Sequence, residues 1–183
     1  MRWGALCTAS AWWQGVGQQD VVGLPQVIET IFRLVQSSKA TTVLWKNAIA
    51  VLQKLSIRPS GLKLLLKHNV AEWICTMLLD ADELCDYSLE YLTALTMKLA
   101  LSKAGRAHFA RLTTGGGTVS VLNALIESEN PQINTYVNGA LYALLQHAVL
   151  KEQAHALGFE ELLSCLVSVS EPSIARQFRY VAF

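Results

Sequence analysis

Catalytic and metal-binding signatures are missing from this sequence. The four cysteines, Cys7, Cys75, Cys85 and Cys165, form no Cys-x-x-Cys pair, and no His-x-x-x-His pair occurs. Reduced thiols are therefore the expected state. His68, His108, His147 and His155 fall in four different helices or turns, where solvated or capping roles are expected. The carboxylates Asp80, Asp82, Glu83 and Asp86 lack the glycine and the closing glutamate that a calcium loop needs. No serine sits in a nucleophile elbow, and no catalytic cysteine signature is present. The sequence thus predicts no enzyme, no cofactor, no metal and no small-molecule substrate.

Other absences narrow the fold. No run of about 18 apolar residues exists, so no membrane span is expected. No stretch keeps a period-two alternation, which argues against strands. Charge is scarce: 16 % of residues are charged and 52 % are hydrophobic. That balance is too apolar for a disordered chain and leaves few polar residues to cover a surface. Gly115-Gly116-Gly117 precedes a helix but lacks the lysine and hydroxyl of a phosphate loop, so it reads as an inter-helix loop.

What is present is a repeat. Ala50-Val51-Leu52-Gln53-Lys54-Leu55-Ser56 returns 44 residues later as Ala94-Leu95-Thr96-Met97-Lys98-Leu99-Ala100. It returns 46 residues after that as Ala140-Leu141-Tyr142-Ala143-Leu144-Leu145-Gln146. A helical unit of that period marks an armadillo or HEAT solenoid. The punctuation gives a short, a medium and then a long helix per unit, which is the armadillo order. Pro25 and Pro131 suit first helical turns, and Thr41 or Thr42 suits a cap. The expected fold is all-α, an armadillo-type α-solenoid with a right-handed superhelix of about four repeats. Its long helices should lie near 41–56, 84–102 and 131–147, with Leu55, Leu99 and Leu145 equivalent and buried. The armadillo-repeat domain should span residues 23–183. Residues 1–22, which hold three of the five tryptophans, are expected to be an irregular segment outside the repeats. Apolar ends on so short a stack predict a place in a larger assembly or a longer polypeptide.

Charge is ordered along the chain. Arg33, Lys39, Lys46, Lys54, Arg58, Lys63 and Lys67 follow one another with no acid between them. Six acids from Glu72 to Glu90 come next, and then Lys98, Lys103, Arg106 and Arg111. Lys54 and Lys98 hold the same repeat position and should project to one side. With Arg58 they form the candidate protein-binding residues, suited to an acidic partner such as tubulin tails. Nucleic acid is set aside, because the remaining face is acidic and the net charge is only +1.

Three stretches carry a family resemblance: Asp86-Tyr87-Ser88-Leu89-Glu90-Tyr91 running into Ala94-Leu95, then Leu52-Gln53-Lys54-Leu55-Ser56, then Tyr136-Val137-Asn138-Gly139-Ala140-Leu141-Tyr142. Over roughly residues 41–183 the chain resembles the armadillo region of the LisH-domain-containing armadillo repeat-containing protein 9 family. The resemblance implies a non-catalytic scaffold or adaptor of the cilium or flagellum, at the basal body, axoneme or ciliary tip on the cytoplasmic side. It implies other ciliary proteins as partners, with microtubules as a further one. A full-length member of that family resembles a LisH motif, a coiled coil and then these repeats, and only the repeats correspond to this sequence. The alternative function is an importin-type peptide or cargo receptor. Such receptors carry asparagines two residues after the Ala-Leu pair of the long helix. Here those places read Gln53-Lys54, Met97-Lys98 and Ala143-Leu144, which argues against that mode.

Overall fold

The computed structural model describes residues 24–169 and 172–181, and the segment 1–22 lies outside the described residues. The described residues form eleven α-helices and two short 3-10 turns, with no strand among them. A helix pair opens the stack, α1 (Leu24–Ser37) and α2 (Val43–Leu55). Three complete units follow. The first is α3 (Pro59–Lys67), α4 (Val70–Leu79) and α5 (Asp86–Ala100). The second is α6 (Lys103–Phe109), α7 (Thr118–Asn123) and α8 (Pro131–Leu144). The third is α9 (Ala148–Ala156), α10 (Phe159–Val169) and α11 (Pro172–Val181).

Caps fix where the helices begin. The hydroxyl of Thr42 accepts from the Trp45 N–H at 3.2 Å at the start of α2. Ser102 does the same for Gly105 at 2.9 Å at the start of α6. Asn130 opens α8 by accepting from Gln132 and Ile133, and Pro131 takes the first helical position. The Gly115-Gly116-Gly117 loop takes three successive positive φ values of 63°, 82° and 100°, a path that side chains disfavour.

The last helices of successive units stack side by side, α2 on α5, α5 on α8 and α8 on α11. Their inner faces make one continuous core. Ile49 and Leu52 of α2, Leu92, Leu95 and Leu99 of α5, and Val137, Leu141 and Leu144 of α8 are fully buried. Phe32 of α1 and Trp73 of α4 meet edge to face at 5.4 Å.

The repeat register is set by a tight contact. A Cβ on Gly61 would lie 2.2 Å from the carbonyl oxygen of Leu55, and one on Gly105 would lie 1.9 Å from that of Leu99. Each glycine lets a short helix fold back against the end of the preceding long helix. Gly61 and Gly105 are 44 residues apart, as are Leu55 and Leu99, so this half of the expected register holds. The next step is different. The short helices start at the N-cap positions Ser102 and His147, 45 residues apart, so Leu144 is the third equivalent of Leu55 and not Leu145. Both leucines are buried, Leu144 at 0 % exposure and Leu145 at 5 %. The adjacent apolar pair hid a one-residue difference between units.

Two local features precede α5. The acidic corner at Asp80–Glu83 forms a 3-10 turn with no side-chain cap. The residue capping α5 is Cys85, which is exposed and not inside a helix. A hydrogen bond with the Ser88 hydroxyl, helped by nearby Lys46, holds the Cys85 thiol below its ordinary value.

Candidate protein-binding surface

Lys54 and Lys98 occupy the last turns of α2 and α5. Lys54 is exposed and Lys98 half-buried, and neither has an ion-pair partner among the described residues. Because the 44-residue register holds between α2 and α5, the two lysines sit at matching heights on neighbouring helices. Arg58 follows as the exposed residue that opens α3. The sequence-predicted trio is therefore placed on one end of the α2–α5 pair.

Two tyrosines that sequence reasoning did not assign to the surface complete it. Tyr87 and Tyr91 stand one turn apart on α5, with ring centroids 4.7 Å apart and planes inclined by 40°. Lys98 lies two turns beyond Tyr91 on the same face. Burial, followed by the contact with the Tyr87 hydroxyl, pushes the Tyr91 phenol above its ordinary value, while the charge of Lys54 acts against that shift. The charge of Lys54 on α2 is thus felt at the tyrosine face of α5. The signal for this pair was the i, i+4 spacing of Tyr87 and Tyr91 in a predicted helix.

The acids of α5 are turned to other work. The Asn130 side-chain NH2 donates to Asp86 at 3.1 Å and to Glu90 at 2.9 Å. One residue therefore caps α8 with its oxygen and ties α8 to α5 with its nitrogen. Both carboxylates are thereby engaged by Asn130.

Between α8 and α11 lies a cleft of about 390 Å³, lined by Thr135, Asn138, Gly139, Tyr142, Gln177 and Tyr180. Asparagines do occur here, but before the Ala140-Leu141 pair and not after it. Asn134 donates to the Ile126 carbonyl at 3.0 Å, and Asn138 donates to the Asn134 side-chain oxygen and to Gln177 at 3.2 Å. Both asparagines are buried, and their donors go to the Ile126 carbonyl, to Asn134 and to Gln177.

Among the described residues, no group of three or more His, Cys, Asp or Glu is placed to hold a metal ion. No described helix is long and apolar enough to cross a membrane. Cys75 is buried beside Thr118, and burial raises its thiol to about 11, which suits packing better than chemistry.

A sequence model of the ARM repeats of LisH domain-containing protein ARMC9 matches residues 65–183. This chain belongs to that family. The Mus musculus LisH domain-containing protein ARMC9 is 35 % identical over 136 residues, covering 74 % of this chain and 16 % of the relative. The Bos taurus protein is 30 % identical over 165 residues, covering 90 % of this chain and 24 % of its own length. The Xenopus laevis protein is 30 % identical over 167 residues, 91 % of this chain and 20 % of its own. The chain thus spans less than a quarter of the length of these ARMC9 relatives. Among solved structures, the crystal structure of an engineered protein superposes with a TM-score of 0.70 at 15 % identity, over 84 % of this chain and 60 % of that one. That likeness supports the fold alone. Membership of the ARMC9 family supports a repeat-based scaffold.

Proposed function

We propose that this chain is a non-catalytic armadillo scaffold of the cilium, at the basal body, axoneme or tip, which binds acidic segments of protein partners, tubulin tails among them. The observation that carries the proposal is the pairing of Lys54 and Lys98. They stand at equivalent places on adjacent helices, without an ion-pair partner among the described residues, while Asn130 engages the α5 acids Asp86 and Glu90. Arg58 extends the positive edge, and Tyr87 and Tyr91 offer flat contact area beside it. The resemblance to the ARMC9 family supports the ciliary setting. An importin-type receptor has less support, because Asn134 and Asn138 direct their donors to internal partners.

Co-sedimentation with microtubules, beside a pull-down from ciliary extract, tests the proposal. Lys54→Glu with Lys98→Glu should keep the helical signal and lose binding. Binding of the parent should also weaken with salt, since the Debye length shrinks from about 10 Å at 0.1 M to about 3 Å at 1 M. Equal binding by parent and reversed protein at low salt would place the contact elsewhere. A tagged chain that stays out of cilia in ciliated cells would contradict the setting.

A further inference from the structure

The corners where α2 and α5 give way to the next short helix carry the same kinds of residue. Ile57 and Leu101 lie 44 residues apart, each just before the residue that opens the short helix. Matching bonds fix the equivalence. The Arg58 N–H donates to the Leu55 carbonyl at 3.3 Å, the Ser102 N–H to that of Leu99 at 3.1 Å, and the His147 N–H to that of Leu144 at 2.9 Å. Ile57 is 57 % exposed and Leu101 55 %. Lys54 and Lys98 stand three residues before them. An arginine accompanies each corner. Arg58 follows Ile57, and the Arg106 guanidinium donates to the Ala100 and Leu101 carbonyls, both at 3.1 Å. At the corresponding places of the third unit, buried Ala143 replaces the lysine and exposed Gln146 replaces the apolar residue. The lysine and the exposed apolar side chain thus occur together in two units and are lost together in the third.

We infer that this line of corners binds an extended segment of a partner protein, in which apolar side chains three residues apart are interleaved with carboxylates. The inference rests on the lysine pair as a binding edge and adds what the partner carries besides charge. No acid occurs between Arg33 and Lys67 or between Lys98 and Arg111, which selects an acidic partner. Spacing selects its form. Stacked helices lie about 8–10 Å apart. A polyproline-II-like chain returns to the same edge every third residue, over about 9 Å. Each unit offers one apolar side chain, too little for the stripe that a docked helix buries. Lys98 is half-buried, within reach of a single carboxylate side chain and not of a flat layer of lipid headgroups. Residues 1–22 hold one acid, Asp20, against Arg2, and supply no such segment. A further repeat would stack on the flank of a long helix and leave the corners open, as Leu101 is open with described units on both sides. A second copy is disfavoured because its Asp82 and Glu83 are folded into a 3-10 turn.

The probe is a short, capped, fluorescein-labelled peptide of glutamates with two leucines three residues apart. One comparison peptide has serines for the leucines, and another has the two leucines adjacent. Fluorescence anisotropy with the full chain should show the first binding at least about tenfold more tightly than the serine peptide. The adjacent-leucine peptide should lose most of that gain. Ile57→Gln with Leu101→Gln, which installs the residue found at Gln146, should erase the preference. Affinity for the serine peptide, circular dichroism and the unfolding midpoint should stay those of the parent. Should the double variant unfold, Leu101→Gln alone should lower the preference. Equal affinity for all three peptides, lost in Lys54→Glu with Lys98→Glu, would leave the lysine edge standing and overturn this inference. Binding of none of them would overturn both. A preference that survives in the folded glutamine variant would overturn the inference. So would pelleting with phosphatidylserine vesicles that the glutamine variant loses, in the absence of a peptide preference, since a membrane would then be the occupant. A parent dimer that the same variant disperses in sedimentation would make a second copy the occupant and overturn it as well.

Discussion

Asn130 joins two jobs that are usually split between residues. Its oxygen caps α8, and its nitrogen bridges Asp86 and Glu90 on α5. Asn130→Ala should therefore cost about 2 kcal/mol, the upper end of what a helix cap contributes, because an inter-helix tie is lost with it. Chemical denaturation checks this, and Asn130→Asp should not restore stability, since it sets a third carboxylate against two. Asn130 before Pro131 is legible in sequence as a helix start, but its bonds to Asp86 and Glu90, 44 and 40 residues away, are not, because they depend on how units stack. Cys75 gives a second residue-level outcome. Its thiol is raised by burial from 9.0 to about 11, with Thr118 lowering and Glu72 raising it. A group raised on folding stabilises the protein below its unfolded pKa, and that contribution is lost as pH rises through the folded value. Stability should thus fall between pH 9.0 and about 11. Tyr91 is also raised and acts with the same sign. The difference in slope between parent and Cys75→Ala, followed by thermal unfolding across that range, isolates the thiol.

Among the elements, the long helices were the most legible from sequence. The expected spans 41–56, 84–102 and 131–147 contain Val43–Leu55, Asp86–Ala100 and Pro131–Leu144. Periodic apolar residues with proline or threonine at one end identify such helices without tertiary knowledge. The junctions were less legible. The 44-residue step was right because Gly61 and Gly105 serve the same contact. The following step came out one residue too long, because Leu144 and Leu145 look alike in a pattern of apolar residues. Only the caps at Ser102 and His147 tell them apart. Two glycines in helices should respond differently to a methyl group. Gly105→Ala drives a Cβ to 1.9 Å from the Leu99 carbonyl oxygen, a backbone atom that cannot move aside. It should cost about 2–3 kcal/mol, as overpacking does. Gly139→Ala meets Met97 Sδ at 2.6 Å, and a flexible thioether can swing away. Helix propensity then favours alanine by up to about 1 kcal/mol, so this variant should be near neutral. Paired unfolding curves distinguish the two.

Among the described residues, α2, α5, α8 and α11 form a row of stacked helices, braced by the others. In such a stack each unit contacts only its neighbours, so a central residue matters to both sides. Leu99 is fully buried on α5, between α2 and α8. Leu99→Ala should cost roughly 2–5 kcal/mol, and an unmoved unfolding midpoint would refute the stacking register. Candidate surface residues were only partly legible at this scale. Lys54 and Lys98 could be matched by their repeat position, since a register shared by two helices also aligns their exposed faces. The tyrosine pair could not, because its exposure depends on how the neighbouring helices stack. As proposed, this stack recognises acidic protein segments through its lysine pair. The most direct test is co-sedimentation of the parent chain with microtubules before and after limited proteolysis has removed their acidic tails. The parent should pellet with intact microtubules at low salt and stay in solution with the trimmed ones. Equal pelleting with both would contradict it.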